Sequence, residues 1–554
     1  MHCVVRTRGR DGRIRHVGVG QGVSIPVEHE QEIEQPVFVE QPMMQEDEDV
    51  AQHGWPGGPL DTSLLTRYSD HVARYIWFGT ERIEGAKPEL RIASLGSKLT
   101  GWVPGPGQRH PNIQGWLDES GLKWLERTSL SKVDPQILSA FTKRWHPETS
   151  SFHMPFGEMT ITLDDVACLL HIPVRGIFYT PAPVSMEEAA ALATELLGVP
   201  YEVAYLETSR QRGGTFTQQW VYDCWQRNLH MYHRYDCAAR AYLLLLVGCT
   251  ILTDKSYTRV NAKWLPMFRD LSTLNKFSWA SAALVCLYDN LNDASMFTTH
   301  ALVGYPTLLQ CWIHEYFPTL GRLGESVHRC DEMGYPRAMW WVYKQGKTKL
   351  PAYRPIMDAL TPSDVIWRPF EGHRGSIPSD LITCFSGYLR GCTIVPYLPG
   401  RCLRQFGFVQ YIPPPPHPAP SYPDIDSLWS GYHTYVDRIL QFTRPVRFDA
   451  ETTADYLSWY YTISHPILCR PHDGPHGAPP VPHFVPAYAP PEADPVPQDA
   501  PAQDAPPSGE QRQMDAIVSA LERFIAQVDA DRDDDVFDDI FYALDVARGD
   551  RDID

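Results

Sequence analysis

The run AARAYLLLLVGCTIL, Ala238–Leu252, is apolar on almost every side of a helical wheel. A surface helix shows one apolar stripe; a helix apolar all round must be enclosed by other elements. It falls short of the about 18–20 residues that a membrane helix needs, as does every other apolar run in the chain. The run therefore predicts a soluble protein with a large interior built around a central helix, and no membrane span.

Its neighbours share this character. SWASAALVCLYDNLNDA opens at Ser278, an N-cap residue, and continues through small and apolar residues. PTLLQCWIHEYFP places Pro306 in the first turn, where its missing N–H costs nothing, and Pro318 beyond the end. Strand-like alternation is scarce, and short strands are expected only around GEMTIT and CTIVPYL. The expected fold is mainly α: one large helical domain with a few short strands.

That domain is expected over residues 56–470. Residues 1–55, basic and then acidic, are expected to be a disordered tail. Of the 49 prolines of the 554-residue chain, 13 lie within 471–510, which reads as an extended linker. Residues 511–554 carry an amphipathic helical pattern and an acidic end. The twelve cysteines are scattered without CxxC pairs, and several lie in apolar runs as space-filling thiols. Together with the lack of a signal peptide, they point to a reducing compartment.

Residues 150–171, SSFHMPFGEMTITLDDVACLLH, hold two His, a Glu and two adjacent Asp. This is either an acid/base centre or the start of a buried helix. Thr162 followed by Asp165 is a capping-box variant, and Asp164 and Asp165 fall in the first turn, where the helix dipole favours negative charge. Leu163, Val166, Leu169 and Leu170 make one apolar stripe. The structural duty accounts for both Asp; His153, Glu158 and His171 are left less explained.

The longer segment RWHPETSSFHMPFGEMTITLDDVACLLHIPVRG resembles the signature of the plant mobile domain family, which includes maintenance-of-meristems-like proteins and transposon-encoded relatives. FSWASAALVCLYDNLNDAS, LVGYPTLLQCWIHEYFP, DVIWRPF, RCLRQFGFVQYIP and WYYTISHP follow in the family's order, so the resemblance covers most of residues 60–466. Phe156 stands where a Cys is common, and His171 where a Gly is common. The resemblance implies a plant nuclear protein concerned with transposon silencing, genome stability and meristem maintenance, with a serine/threonine phosphatase as an expected partner. It offers no catalytic residue to carry over.

The label "aminotransferase-like" attached to the family finds no support in the residues. No Lys sits in a Ser/Gly-rich phosphate cradle after a strand, so no cofactor is expected. The metal-binding clusters of a metallophosphatase are absent, as are a Walker loop and GxSxG. CWQRNLHMYHRYDC would put His230, His233 and Cys237 on one helical face, a conceivable zinc set, but packing explains those residues as well and no metal is assigned. Arg401 and Arg404 beside Phe406 and Phe408 read as packing with arginines at its edge.

Two tail features remain. The net charge of −18 excludes a general polyanion binder, yet Arg6, Arg8, Arg10, Arg13 and Arg15 crowd the N-terminus and could make non-specific DNA contacts. In DDDVFDDIFYALDVA, the residues Phe537, Ile540, Phe541 and Leu544 align on one helical face, as in a segment that docks into a partner's groove. The expectation is a non-catalytic nuclear scaffold. The alternatives are a transposon-encoded nucleic-acid accessory protein using the Arg tail, or a hydrolase using His153, Glu158 or Asp165.

Overall fold

Tyr235–Gly248 is a helix whose side chains are almost all buried from Cys237 onward, as its all-round apolar sequence requires. This computed structural model describes residues 6–8, 14–16 and 53–469, the last with gaps at 83–88, 93–94, 106, 254, 322–333, 343–352, 378–384 and 432–441. The chain divides into units Met1–His472 and Asp473–Asp554. The second lies outside the described residues, as do the whole Pro-rich segment 471–510 and, in the 511–554 segment, Phe537, Ile540, Phe541 and Leu544.

Helices dominate the described residues. In chain order, the elements that matter below are α1 (Pro135–Thr142), β1 (Trp145–His146), β2 (Ser151–Met154), β3 (Gly157–Met159), α2 (Leu163–Leu170), α3 (Tyr235–Gly248), α4 (Trp279–Ala294), α5 (Pro306–Tyr316), β4 (Gly387–Arg390), β5 (Ile394–Tyr397) and α6 (Tyr456–Ile463). The local signals hold where they were read. Ser278 Oγ accepts from the Ser281 N–H and caps α4, and Pro306 occupies the first turn of α5. Both strand expectations are met by β3 and β5. In the N-terminal stretch, Arg6–Arg8 pairs antiparallel with Ile14–His16, with Arg6 opposite His16 and Thr7 opposite Arg15.

One hydrophobic cluster runs from Leu90 to Trp429 through all of these elements but α6, whose Tyr456, Tyr460 and Ile463 form a smaller cluster. Helix α2 lies against both α4 and α5, and all eight of its residues are buried. The sheet β1–β2–β3 is antiparallel, pairing Trp145 with Phe152, Phe152 with Met159, His146 with Ser151 and His153 with Glu158. Because strand side chains alternate, one face is apolar and the other carries His146, Ser151, His153 and Glu158. Phe152 packs on Trp312 at 5.4 Å and Trp145 on Tyr288 at 4.7 Å. The polar face is buried as well, beneath a second layer drawn from distant parts of the chain.

Candidate functional site

Glu158 is fully buried and meets Arg401 as a two-pronged pair: Arg401 Nε lies 2.7 Å from Oε2 and Nη2 2.7 Å from Oε1. Ser151 Oγ donates to the same Oε2 at 2.7 Å. Burial alone would raise the Glu158 pKa, but Arg401 holds the carboxyl below the usual carboxylate range. His153, also fully buried, places Nδ1 2.8 Å from Ser464 Oγ and Nε2 3.2 Å from Thr149 Oγ1. Its Nε2 is 3.8 Å from Glu158. Burial holds the imidazole neutral, with its pKa lowered to about 4.

A second histidine group adjoins it. His71 stacks on His146 with centroids 4.3 Å apart, and His465 meets His146 at 4.6 Å with their Nε2 atoms hydrogen-bonded. Tyr68 covers His465 at 5.4 Å. Burial lowers His71 to about 3 and drives His146 and His465 well below their ordinary value.

Among the described residues this trio is the only His/Cys/Asp/Glu group with metal-site spacing, its ligand atoms lying within 4.8 Å of one another. The donor set does not fit an ion. His71 Nδ1 accepts from the Ala73 N–H at 3.2 Å and Nε2 donates to the Trp145 carbonyl at 2.9 Å, so neither nitrogen keeps a free lone pair. That leaves two imidazoles, short of the three or four ligands zinc takes.

The layer is tied to backbone around it. Gln405 bonds both backbone polar atoms of Thr160, its Oε1 accepting from the N–H at 2.8 Å and its Nε2 donating to the carbonyl at 2.8 Å. Arg144 donates to the His153 carbonyl at 3.1 Å and the Pro466 carbonyl at 2.9 Å. Arg404 donates to the Phe156 carbonyl at 2.9 Å and lies over the Trp367 ring at 4.4 Å. Arg401 and Arg404 are therefore inside the core, each 2% exposed, and not at its edge as expected. Gly157 has φ +122°, and a Cβ there would come within 2.3 Å of Arg404 Nη2 and 2.9 Å of the Tyr456 hydroxyl.

The two aspartates take the places that the capping reading assigned. Thr162 Oγ1 accepts from the Asp165 N–H at 3.1 Å and Asp165 Oδ2 accepts from the Thr162 N–H at 2.7 Å. Asp165 also accepts from Trp312 Nε1 at 3.2 Å and the Tyr316 hydroxyl at 2.8 Å. Burial pushes it up to about 7, against the pull of those donors. Asp164 pairs with Arg374 at 3.1 Å. His171 closes α2 in the left-handed region at φ +52°, its Nε2 3.0 Å from His373 Nε2.

The zinc face does not form. A π-helical turn at Asn228–Tyr232 and a left-handed His233 (φ +53°) separate Cys237, in the first turn of α3, from His230, so the three residues do not share one helix. His230 and His233 are exposed while Cys237 is buried. Arg6, Arg8 and Arg15 lie on the N-terminal strand pair; Arg10 and Arg13 lie outside the described residues. Sequence reading missed the His71/His146/His465 group. Its signal was two His-Pro dipeptides, His146-Pro147 and His465-Pro466, far apart in the chain. No helix among the described residues is long and apolar enough to cross a membrane.

A mainly helical domain closed over a buried polar layer, with RWHPETSSFHMPFGEM at its centre, defines the class, and the comparisons agree: the plant mobile domain profile matches residues 121–461, and the chain belongs to that family. Among curated proteins of Arabidopsis thaliana it is similar to Protein MAIN-LIKE 1, 32% identical over 64% of this chain and 68% of that protein. It is 28% identical to Protein MAINTENANCE OF MERISTEMS, over 74% of this chain and 84% of that protein. It also matches the Serine/threonine-protein phosphatase 7 long form homolog, 29% identical over 74% of this chain but only 32% of that protein. No solved structure matches.

Proposed function

We propose that this protein is a non-catalytic nuclear scaffold acting in transposon silencing, genome stability and meristem maintenance. The observation that carries this reading is the fate of the signature segment's ionisable groups. Glu158 is paired with Arg401, His153 with Ser464 and Thr149, and Asp165 with the start of α2. A reaction centre needs such groups turned towards a space a substrate can enter; here they hold the interior together. One relative is named for the maintenance of meristems, and another is named a serine/threonine-protein phosphatase. The partner expected for this chain is a phosphatase of that class, in trans.

The test is tagged full-length protein recovered from plant nuclei, with a parallel Phe537→Ala/Phe541→Ala variant. Nuclear recovery with a serine/threonine phosphatase, lost in the variant, is the expected result. Exclusion from nuclei would overturn it, as would a hydrolytic activity that Glu158→Gln abolishes in a folded protein. A second reading, a nucleic-acid accessory protein, is favoured by the pairing of Arg6–Arg8 with Ile14–His16, which puts three arginines of the tail on one strand pair. It requires salt-dependent binding to duplex DNA that disappears when residues 1–16 are deleted.

A further inference from the structure

The helices Tyr201–Gln211 and Gln218–Arg227 stand apart, with an open groove of about 470 Å³ between them. Each is braced from behind by a different neighbour. Tyr201–Gln211 packs against the helix Met186–Leu197, where Thr208 Oγ1 donates to the Met186 carbonyl at 3.1 Å. Gln218–Arg227 packs against α3, with Trp225 on Tyr242 at 4.7 Å. The sides that face each other are left uncovered. Val203, Leu206 and Arg210 line one wall, and Trp220, Asp223 and Arg227 the other. Both sets follow the i, i+3, i+7 spacing of a single helical face.

Val203 and Leu206 are 42% and 53% exposed. Tyr201 and Tyr205, on the same helix, are also exposed and stack on each other at 5.9 Å. Four large apolar side chains uncovered on one helix make a patch, which marks a contact surface where single exposed residues do not. Trp220 is fixed by stacking on the buried Phe216 at 4.8 Å. An indole held in place beside aliphatic side chains is a strong anchor for a partner.

The charges select the partner. Glu207, also in the lining, is buried, and its Oε1 accepts from the Thr217 N–H at 2.8 Å. Asp223 accepts from Gln219 at 2.9 Å; Arg227, one turn on, puts the opposite charge on that wall and donates to the Asp223 carbonyl at 3.2 Å. Arg210 makes no hydrogen bond or ion pair among the described residues. The exposed Arg212 follows it, and Arg259 reaches the same helix end, donating from Nη1 to the Gln211 carbonyl at 3.4 Å. That end of the helix carries three arginines that no carboxylate among the described residues pairs with.

We infer that this groove is the docking site for an acidic amphipathic helix of a partner protein, whose apolar side chains cover Val203, Leu206 and Trp220 and whose carboxylates meet Arg210. The wall formed by the 11 residues Tyr201–Gln211 is about 16 Å long. That length takes about three turns of a second helix, enough for apolar residues at i, i+3 or i+4, and i+7 along one face. A small anion would leave Tyr201 and Tyr205 uncovered, and nucleic acid would bring phosphates against Asp223 and Glu207. The groove is tested apart from Phe537 and Phe541, so its failure and that of the scaffold reading are distinguishable.

The experiment titrates full-length protein into fluorescein-labelled synthetic helices of about 14 residues and follows anisotropy. Three peptides share the same Leu positions and carry Glu, Gln or Lys at the polar ones. The Glu peptide should bind saturably and the Lys peptide at least about tenfold more weakly. Leu206→Asp should abolish binding, and Arg210→Glu should reverse the preference between Glu and Lys peptides. Both positions are exposed, so the far-UV spectrum and Tm of these variants should be unchanged. Phe78→Asp, at an exposed apolar residue elsewhere, should bind as the unaltered protein does. The inference is overturned if the Glu peptide does not bind, if the Lys peptide binds as tightly, or if Phe78→Asp abolishes binding as Leu206→Asp does. A dimer in light scattering that Leu206→Asp splits would also overturn it, since the occupant would then be a second copy of this chain.

Discussion

Lowering the pH from 7 to 5.5 should destabilise this domain by about 3 kcal/mol through four histidines and one aspartate of the polar layer, and further through His171 and His373, which burial also lowers to about 4. His71, His146, His153 and His465 are buried as neutral rings. An unfolded histidine titrates near about 6.5. In the fold His71 lies at about 3, His153 at about 4, and the other two well below the ordinary value. Between these limits the unfolded chain binds protons that the native state refuses. Stability is therefore full above the unfolded value and is lost as pH falls towards the folded ones. From pH 7 to 5.5 each such ring costs about 1.2 kcal/mol, or about 5 kcal/mol for the four. Asp165 opposes the trend. Pushed up to about 7, it takes a proton in the fold that an unfolded Asp does not, returning about 1.6 kcal/mol over the same interval. The remainder is a large share of the about 5–15 kcal/mol by which domains are stable. Urea titrations followed by tryptophan fluorescence at the two pH values read it as a shift in midpoint at constant slope. His465→Gln should remove about one ring's worth of the difference. A midpoint that is unchanged or higher at pH 5.5 would show that the rings are not held neutral by burial.

Glu158→Gln leaves Arg401 buried without its counter-charge and should cost about 3–5 kcal/mol, read from thermal melts; pairing it with Arg401→Met should recover part of the loss. Gly157→Ala adds a methyl at φ +122° against Arg404 and Tyr456 and should sharply reduce the soluble folded yield. Gly115→Ala, in the helix Pro111–Ser120 with nothing within 4 Å of the new carbon, should be neutral or stabilise by about 0.5–1 kcal/mol. A fragment of residues 121–461, the span of the family match, should fail to show a cooperative melt, because it lacks His71, Tyr68 and His465, whereas residues 53–469 should melt as one transition.

What was legible in the sequence was local. The N-caps of α2 and α4, the Pro at the start of α5 and the enclosed helix α3 each depend on residues within a turn or two of one another, and each formed as read. The alternation in GEMTITL was also legible, but its meaning was not. Alternation ordinarily marks a strand with one wet face; here Glu158, Thr160 and Thr162 face other polar groups in the interior. Nothing near residue 158 names its partner, because Arg401 is supplied from the other end of the domain. The arginines misled for the same reason. A guanidinium reads as surface by default, and only Glu158, the Phe156 carbonyl and the Trp367 ring make Arg401 and Arg404 tolerable inside. The helical face of His230, His233 and Cys237 failed because a periodic reading assumes an unbroken helix, and the π-turn at Asn228–Tyr232 breaks it.

The polar layer explains why a domain of this size closes in one way. Its parts come from both ends: Leu60 and Asp61 donate to the Thr462 carbonyl, each at 2.8 Å, and the Arg67 N–H reaches Glu148 at 2.7 Å. Apolar surfaces tolerate sliding, since one methyl group replaces another at little cost. A sheet with one polar and one apolar face does not. A one-residue slip of β2 would turn His153 and Ser151 towards Trp312 and Tyr288 and press Phe152 against Arg401. Glu158 would then lose the Ser151 hydroxyl and face an aromatic ring in its place, leaving a buried carboxylate less fully hydrogen-bonded. The charges of the signature segment thus select one register in which the two ends of the described domain meet.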